Sequence, residues 1–111
     1  MKKLNIVKKN QDFDRIIKNT NPFKTREFLI FIERKNVENY QFGISISKKI
    51  GNAVTRNKLK RQIKNIIDKK HYENNFNCII IVRKEILNAN FTDMEKSLSF
   101  AFQKLKITKE S

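Results

Sequence analysis

The segment that decides the fold of this chain is residues 45–68, which read SISKKIGNAVTRNKLKRQIKNIID. It predicts the end of a strand, a basic turn that contains Gly51, and then an amphipathic helix. At about 100° per residue, four apolar side chains collect on one side of this helix, Leu59, Ile63, Ile66 and Ile67. A polar group collects roughly 135° away, Asn57, Lys60, Arg61 and Lys64. One face can therefore pack while the other stays in water.

Positive charge dominates this segment and the whole chain. No acidic residue lies between Glu38 and Asp68, whereas residues 45–68 contain seven cations, Lys48, Lys49, Arg56, Lys58, Lys60, Arg61 and Lys64. The chain has 25 Lys and Arg against 11 Asp and Glu, a formal net charge of +14. Such a fold repels itself, and an acidic partner offsets the repulsion. The planar groups of Arg and Asn suit phosphate and base-edge contacts, so the segment predicts nucleic-acid binding.

The length of 111 residues predicts one domain, residues 1–111, that buries about 65% of its unfolded surface. No stretch approaches the ~20 apolar residues of a membrane-spanning helix. Residues 1–9 lack the apolar core of a signal peptide and predict a flexible basic tail. The single cysteine excludes an internal disulfide and a Cys-based zinc site. These features fit a cytoplasmic protein without a membrane partner.

The first half of the chain predicts a helix and two strands. Residues 10–18 form a short helix with Asn10 as its N-cap. Residues 27–34 form a strand with apolar side chains on both faces. Residues 40–47 form a second strand, in which apolar residues alternate with small or polar ones. The six residues at 34–39 are then predicted to join the two strands as a hairpin loop.

The second half adds one more strand and one more helix to the basic helix. Residues 78–83 are apolar on both faces, which is typical of a strand inside a sheet. An irregular connection leads to a helix that begins at Thr92 with a capping box to Glu95. Its predicted buried stripe is Met94, Leu98, Ala101, Phe102 and Leu105. The element order predicts an α+β sandwich with helices on one small sheet.

Nothing in the sequence supports catalysis by the protein itself. His71 is the only histidine and lies in a polar loop, where no nucleophile and base can be assembled around it. Cys78 lies in an apolar strand and needs no role beyond a small buried side chain. Scattered carboxylates could share a Mg²⁺ brought by a phosphate ligand, but no pattern specifies such a site.

Three apolar residues on the first helix leave two interpretations open. Phe13, Ile16 and Ile17 have the helical spacing that is typical of a core. The other interpretation is that they stack on a ligand, since a single-stranded nucleic acid offers its base faces to aromatic side chains.

Residues 45–61, SISKKIGNAVTRNKLKR, resemble the signature of the protein subunit of bacterial ribonuclease P. The shared pattern is a serine-rich strand end, Lys-Lys-x-Gly-Asn-Ala-Val, and then Arg-Asn-basic-x-Lys-Arg. Weaker resemblance extends to residues 8–17 and 79–84. The family implies an α-β-β-β-α-β-α two-layer sandwich with a small mixed four-stranded sheet. It also implies a left-handed βαβ crossover through the basic helix, against the usual handedness.

The resemblance also implies a function. In this family the RNA subunit removes the 5′ leader of precursor tRNA with bound Mg²⁺, while the protein binds that RNA and the leader and supplies no catalytic residue. The positions matched to RNA contacts are Lys48, Lys49, Arg56, Asn57, Lys58, Lys60, Arg61 and Lys64. The positions matched to the leader-binding cleft are Phe13, Ile17, Phe31, Ser45 and Ser47, with Gly43 in the same small face.

The sequence departs from the family pattern at four positions, and three of them are among the matched site positions. Ile17 stands where a second aromatic is common, so stacking there would be weaker. Lys58 and Lys64 replace common arginines, which keeps the charge but loses the bidentate fork. Asn77 stands where an acid is frequent, so this sequence lacks the carboxylate that a metal contact from the protein would use there.

Three other functions compete with this one. A ribosomal or other structural RNA-binding protein would share the size and the charge, but not the signature segment. A DNA-binding transcription factor could use Asn57 and Arg61 in a major groove, yet it would need a helix before Thr55, where a strand is predicted. A protein nuclease lacks the necessary acid and base groups.

Overall fold

The computed structural model of the protein describes residues 1–2, 5–34 and 38–109. Its elements in chain order are α1 (Asn10–Asn19), β1 (Phe23–Lys24), β2 (Phe28–Arg34), β3 (Tyr40–Ser45), α2 (Ala53–Asp68), β4 (Phe76–Val82) and α3 (Phe91–Lys104). A short 3₁₀ helix, Lys84–Asn88, lies in the connection that was predicted to be irregular. The order confirms the predicted α-β-β-β-α-β-α arrangement. Within the described ranges, no helix is long and apolar enough to cross a membrane.

The four strands form one mixed sheet in the order β1-β2-β4-β3. Ile80 of the central strand β4 lies opposite Ile30 of β2 in an antiparallel pair and opposite Ile44 of β3 in a parallel pair. The predicted hairpin between β2 and β3 is therefore wrong, because β4 lies between them. β4 takes this place because both of its faces are apolar. Residues 35–37 of the predicted loop lie outside the described residues.

The two faces of the sheet are covered unequally. The larger cluster lies between the sheet, α2 and α3, and it includes Phe28 and Ile30 of β2. The smaller cluster lies under α1 on the opposite face, and it includes Phe31 and Ile79. The alternation along β2 predicted this division, because successive side chains of a strand point to opposite faces.

The start of the chain differs from the predicted flexible tail. Asn5 and Val7 are buried, and the Val7 N–H donates to the carbonyl of Phe42 at 2.9 Å. This short segment therefore runs along the edge of β3. Residues 3–4 of the predicted tail lie outside the described part. The N-cap of α1 is Lys9 and not Asn10, and it caps without a side-chain hydrogen bond.

The start of α3 also corrects a prediction. The helix begins at Phe91, and its capping box joins Asn90 to Asp93 instead of Thr92 to Glu95. The Asp93 N–H donates to Asn90 Oδ1 at 2.8 Å, and the Asn90 N–H donates to Asp93 Oδ2 at 3.1 Å. Asn and Asp serve these positions as well as Thr and Glu, so the pattern alone allowed either pair. The predicted stripe is buried except for the half-buried residue at its end, Leu105.

Candidate nucleic-acid interface

The orientation of helix α2 is fixed by its N-cap and by the packing of its apolar side. Asn52 caps it, with Oδ1 accepting the Thr55 N–H at 2.9 Å. The apolar side is buried in the larger cluster through Ile63, Ile66 and Ile67. The opposite side, here called the basic face, consists of the exposed Asn57, Lys58, Lys60 and Arg61 and the half-buried Lys64. The first turn contains no acid, so the partial positive charge of the helix N-terminus adds to these cations.

The turn before α2 adds further positive charge. Lys48 and Lys49 are exposed, and the Lys49 N–H donates to Ser47 Oγ at 3.2 Å. Arg56 is different, since it is half-buried and its Nε donates to the Gly51 carbonyl at 3.1 Å. Arg56 therefore also holds the basic turn against the helix.

These cations are available to an external anion. Of the ion pairs formed within residues 1–2, 5–34 and 38–109, none involves the predicted RNA-binding cations of the turn or of α2. A phosphate that approaches the basic face therefore does not displace a carboxylate first.

An aromatic cleft lies beside the basic face. Phe13 of α1 lies directly over Gly43 of β3, where an added Cβ would be only 2.5 Å from Phe13 Cζ and 2.8 Å from Ile79 Cδ1. Glycine therefore gives the ring its place on the sheet. Phe13 packs against the smaller cluster but stays half-exposed. Lys60 and Lys64 of α2 line the same cleft.

The other predicted cleft residues are placed less uniformly. Ile17 is half-buried beside the smaller cluster, and Ser45 is half-buried on the same face of β3 as Gly43. Phe31 is only 5% exposed and lies in the cluster under α1, so its ring is covered there and is not among the residues that line the cleft. Ser47 is exposed, but its hydroxyl accepts a hydrogen bond within the basic turn.

A polar network beneath α1 was not predicted from the sequence. Arg15 donates two hydrogen bonds to Glu33, at 3.0 and 3.1 Å, and a third to Asp12 at 2.7 Å. Asn77 Nδ2 donates to Glu33 at 3.0 Å, and both of these residues are 5% exposed. The hydrogen bond to Glu33 raises the pKa of Arg15 above its ordinary value. The one available signal was an acid at an inward position of β2.

This network ties α1 to the sheet and so fixes the position of Phe13. It also bears on a metal site, because Asp12 and Glu33 already hold the Arg15 guanidinium. No group of three or more His, Cys, Asp or Glu that could hold a metal ion occurs in the part of the chain that the structure describes. The residues present here do not fit a Mg²⁺ ion.

The structure also places the two side chains that were considered for catalysis, His71 and Cys78. His71 is exposed, and Cys78 is fully buried in the sheet. Burial raises the pKa of the Cys78 thiol above its ordinary value, which disfavours the nucleophilic thiolate.

A small basic α+β domain that places a cationic helix beside an aromatic cleft has the features of an RNA-binding domain. The ribonuclease P family model matches residues 1–106 of the chain. The chain belongs to the ribonuclease P protein family, and its role is that of the protein subunit of the endoribonuclease that processes the 5′ end of tRNA. The predicted resemblance is thereby confirmed.

Individual relatives agree with this assignment. The chain is 37% identical over 113 residues to the ribonuclease P protein component of Bacillus velezensis, with 100% of this chain and 97% of the relative aligned. It is 36% identical to the component of Streptococcus pneumoniae, with 99% and 91% aligned. The solved structure of the Staphylococcus aureus RNase P protein superposes with a TM-score of 0.84 at 31% identity, over 95% of this chain and 98% of that one.

Proposed function

We propose that the protein binds the RNA subunit of ribonuclease P through its basic turn and basic face, and holds the 5′ leader of precursor tRNA in the cleft beside Phe13. The observation that supports this proposal is that one cleft is lined by both an aromatic ring and two cations. Its lining includes Phe13, Gly43, Lys60 and Lys64. A single strand has two features for recognition, its phosphates and the faces of its bases. The cleft offers a partner for each.

The contact with the RNA subunit uses charge above all. The exposed Lys48, Lys49, Lys58 and Arg61 neutralise phosphates, and binding releases the counterions held by those phosphates. The fork of Arg61 can donate two hydrogen bonds to one phosphate. Asn57 adds a planar amide that can reach a base edge or a sugar.

The contact with the leader combines stacking with charge. One base stacks on the exposed part of the Phe13 ring while Lys60 and Lys64 approach the adjacent phosphates. Gly43 is covered by the Phe13 ring, and the small side chain of Ser45 on the same face of β3 leaves room for a strand beside that ring. Ile17 adds an apolar contact without a π face, so stacking in this protein depends on one ring.

The chemistry of cleavage belongs to the RNA subunit. Mg²⁺ would be held by the phosphates of the RNA subunit and not by residues of this chain, and it would supply metal-assisted hydrolysis there. The protein holds the substrate strand and offsets phosphate repulsion in the complex. The complex acts in the cytoplasm, in keeping with a free, buried thiol at Cys78.

The test is reconstitution with the RNA subunit and a precursor tRNA at low Mg²⁺. The complex should cleave the 5′ leader, the RNA alone should need more Mg²⁺, and the protein alone should not cleave. Cleavage by purified protein would contradict the assignment of the chemistry to RNA.

The same system tests the basic face. Arg61→Gln combined with Lys64→Gln should reduce the slope of log K against log salt by about 0.7–0.9 for each phosphate that is no longer neutralised. A slope identical to that of the wild-type protein would remove the basic face from the interface.

A further inference from the structure

A second cationic groove lies near the C-terminal end of α2. Six of its lining residues carry side chains that can bind a phosphate or the hydroxyl groups of a sugar beside it. These six residues are here called the second groove, Lys70, Ser99, Gln103, Lys106, Thr108 and Lys109. Glu73 also lines it and offsets one of the three lysine charges. The groove shares no residue with the basic face of α2 or with the cleft beside Phe13.

The backbone that carries this groove is held by a short antiparallel ladder. Tyr72 pairs with Thr108, and the Lys109 N–H donates to the His71 carbonyl at 2.8 Å. Tyr72 is itself buried, and its hydroxyl donates to the Ile67 carbonyl at 2.8 Å. The lysines therefore project from a backbone that is already ordered, which lowers the entropic cost of binding.

One lysine of the groove occupies a backbone position that favours glycine. Lys106 has φ 57°, in the left-handed region, directly after Leu105 at the C-cap of α3. Glycine is the usual residue at this position because it has no Cβ. Strained positions of this kind are concentrated at functional sites. A lysine there keeps a cation in the groove that glycine would not supply.

We propose that the second groove binds the phosphate backbone of RNA, as a surface separate from both the basic face and the cleft beside Phe13. This inference rests on the proposed function. Three lysines beside the neutral hydrogen-bonding side chains of Ser99, Gln103 and Thr108 suit phosphate and ribose oxygens. Among the described residues that line the groove, His71 carries the one aromatic ring, and the other partners are cations, hydroxyls and an amide. Contacts of these groups with phosphate and ribose do not depend on base sequence. The RNA subunit and the body of precursor tRNA are the two sources of such a backbone.

The test is the salt dependence of RNA binding by the full chain. The groove variant carries Lys70→Gln, Lys106→Gln and Lys109→Gln. A matched control removes the same charge from exposed positions that do not line the groove, with Lys24→Gln, Arg26→Gln and Lys84→Gln. The groove variant should reduce the slope of log K against log salt by about 2.1–2.7, because it removes three lysines and each neutralised phosphate accounts for about 0.7–0.9. The control should leave the slope close to that of the wild-type protein.

Separate titrations identify the source of the phosphates. A reduced slope with the RNA subunit alone places the subunit in the groove, and a reduced slope with precursor tRNA alone places the tRNA there. The basic-face variant Arg61→Gln with Lys64→Gln is measured in parallel. If it reduces the slope while the groove variant matches the charge control, the groove inference is overturned and the proposed function stands. If neither variant changes the slope, the proposed function fails as well.

A single substitution separates backbone strain from RNA binding. Lys106→Gly should leave the Tm unchanged or higher, because glycine accepts the left-handed backbone without strain. It should also reduce the salt slope by about 0.7–0.9, the value for one phosphate. A Tm that is unchanged or higher together with an unchanged slope would show that Lys106 only ends the helix, and would overturn its role in the groove.

Discussion

The two faces of the sheet show how one small fold separates stability from binding. Among the described residues, the larger cluster under α2 and α3 has eighteen buried members and the smaller cluster under α1 has four. The first is closed and rich in aromatic rings, such as Phe42 and Phe102, whose centroids lie 5.7 Å apart. The second leaves Phe13 half-exposed and relies on the ionic network of Arg15. Substitutions on the first face should therefore affect folding, and those on the second should affect the leader.

The largest expected effect belongs to the larger cluster. Phe102→Ala should reduce the free energy of unfolding by about 3–5 kcal/mol, because it opens a cavity at a fully buried position. Urea unfolding measures this loss, and Phe100→Ala on the same helix is the control. Phe100 is 53% exposed and its ring contacts that of Phe23 with centroids 6.1 Å apart, so its substitution should cost about 0.5–1.5 kcal/mol. A selective loss of leader binding in Phe102→Ala, with an unchanged free energy of unfolding, would contradict the assignment of this face to stability.

The next effect concerns the network beneath α1. Glu33→Leu leaves the buried Asn77 amide without its acceptor, which should reduce the free energy of unfolding by about 1–3 kcal/mol. It should also weaken leader binding, because α1 loses its link to the sheet. Glu95→Gln is the control, since that carboxylate is 40% exposed and its pair with Lys69 should contribute about 0–1 kcal/mol. Unchanged leader affinity in Glu33→Leu would show that the network does not position Phe13.

Most of the fold could be predicted from the sequence because alternation and helical periodicity are local properties. The two faces of β2, the packing side of α2 and the central character of β4 all followed from such patterns. The pairing of strands did not, because the alternation in β3 is the same whether its neighbour is β2 or β4. Two strands close in sequence favoured a hairpin, and only the apolar character of both β4 faces pointed to the observed order.

The charge of the site could be predicted from the sequence, but the solvent exposure of its side chains could be predicted only in part. The exposure of Lys58 and Arg61 followed from the helical spacing. The burial of Phe31 did not, because a strand face can be covered by a helix whose position depends on distant residues. The network of Arg15 with Glu33 joins positions 18 residues apart, which no local pattern connects.

A smaller effect on stability is expected at the floor of the cleft. Gly43→Ala places a Cβ against the Phe13 ring and should cost about 1 kcal/mol, at the low end for overpacking because the ring can swing outward. Leader affinity should fall with it. Gly51→Ala is the control, because its added Cβ would meet Thr55 at 3.1 Å and lies outside the cleft. Equal leader affinity in both variants would contradict the fit of Phe13 on Gly43.

The smallest effect belongs to the histidine. His71→Ala should leave the cleavage rate of the reconstituted complex unchanged, because the exposed imidazole takes no part in the chemistry. The rate is measured at saturating protein and low Mg²⁺. A large loss of rate at unchanged RNA affinity would assign a catalytic role to the protein.

The central claim, that Phe13 serves the leader while the larger cluster serves the fold, is tested most directly by Phe13→Ala in the reconstituted complex. Binding is measured for precursor tRNA with a leader and for mature tRNA without one, together with the Tm of the protein. The precursor should bind more weakly by about 1–3 kcal/mol, the value of one base stacked on an aromatic ring. Mature tRNA should bind as before, with only a modest fall in Tm. Equal losses for both RNAs and a large fall in Tm would show that Phe13 belongs to the core.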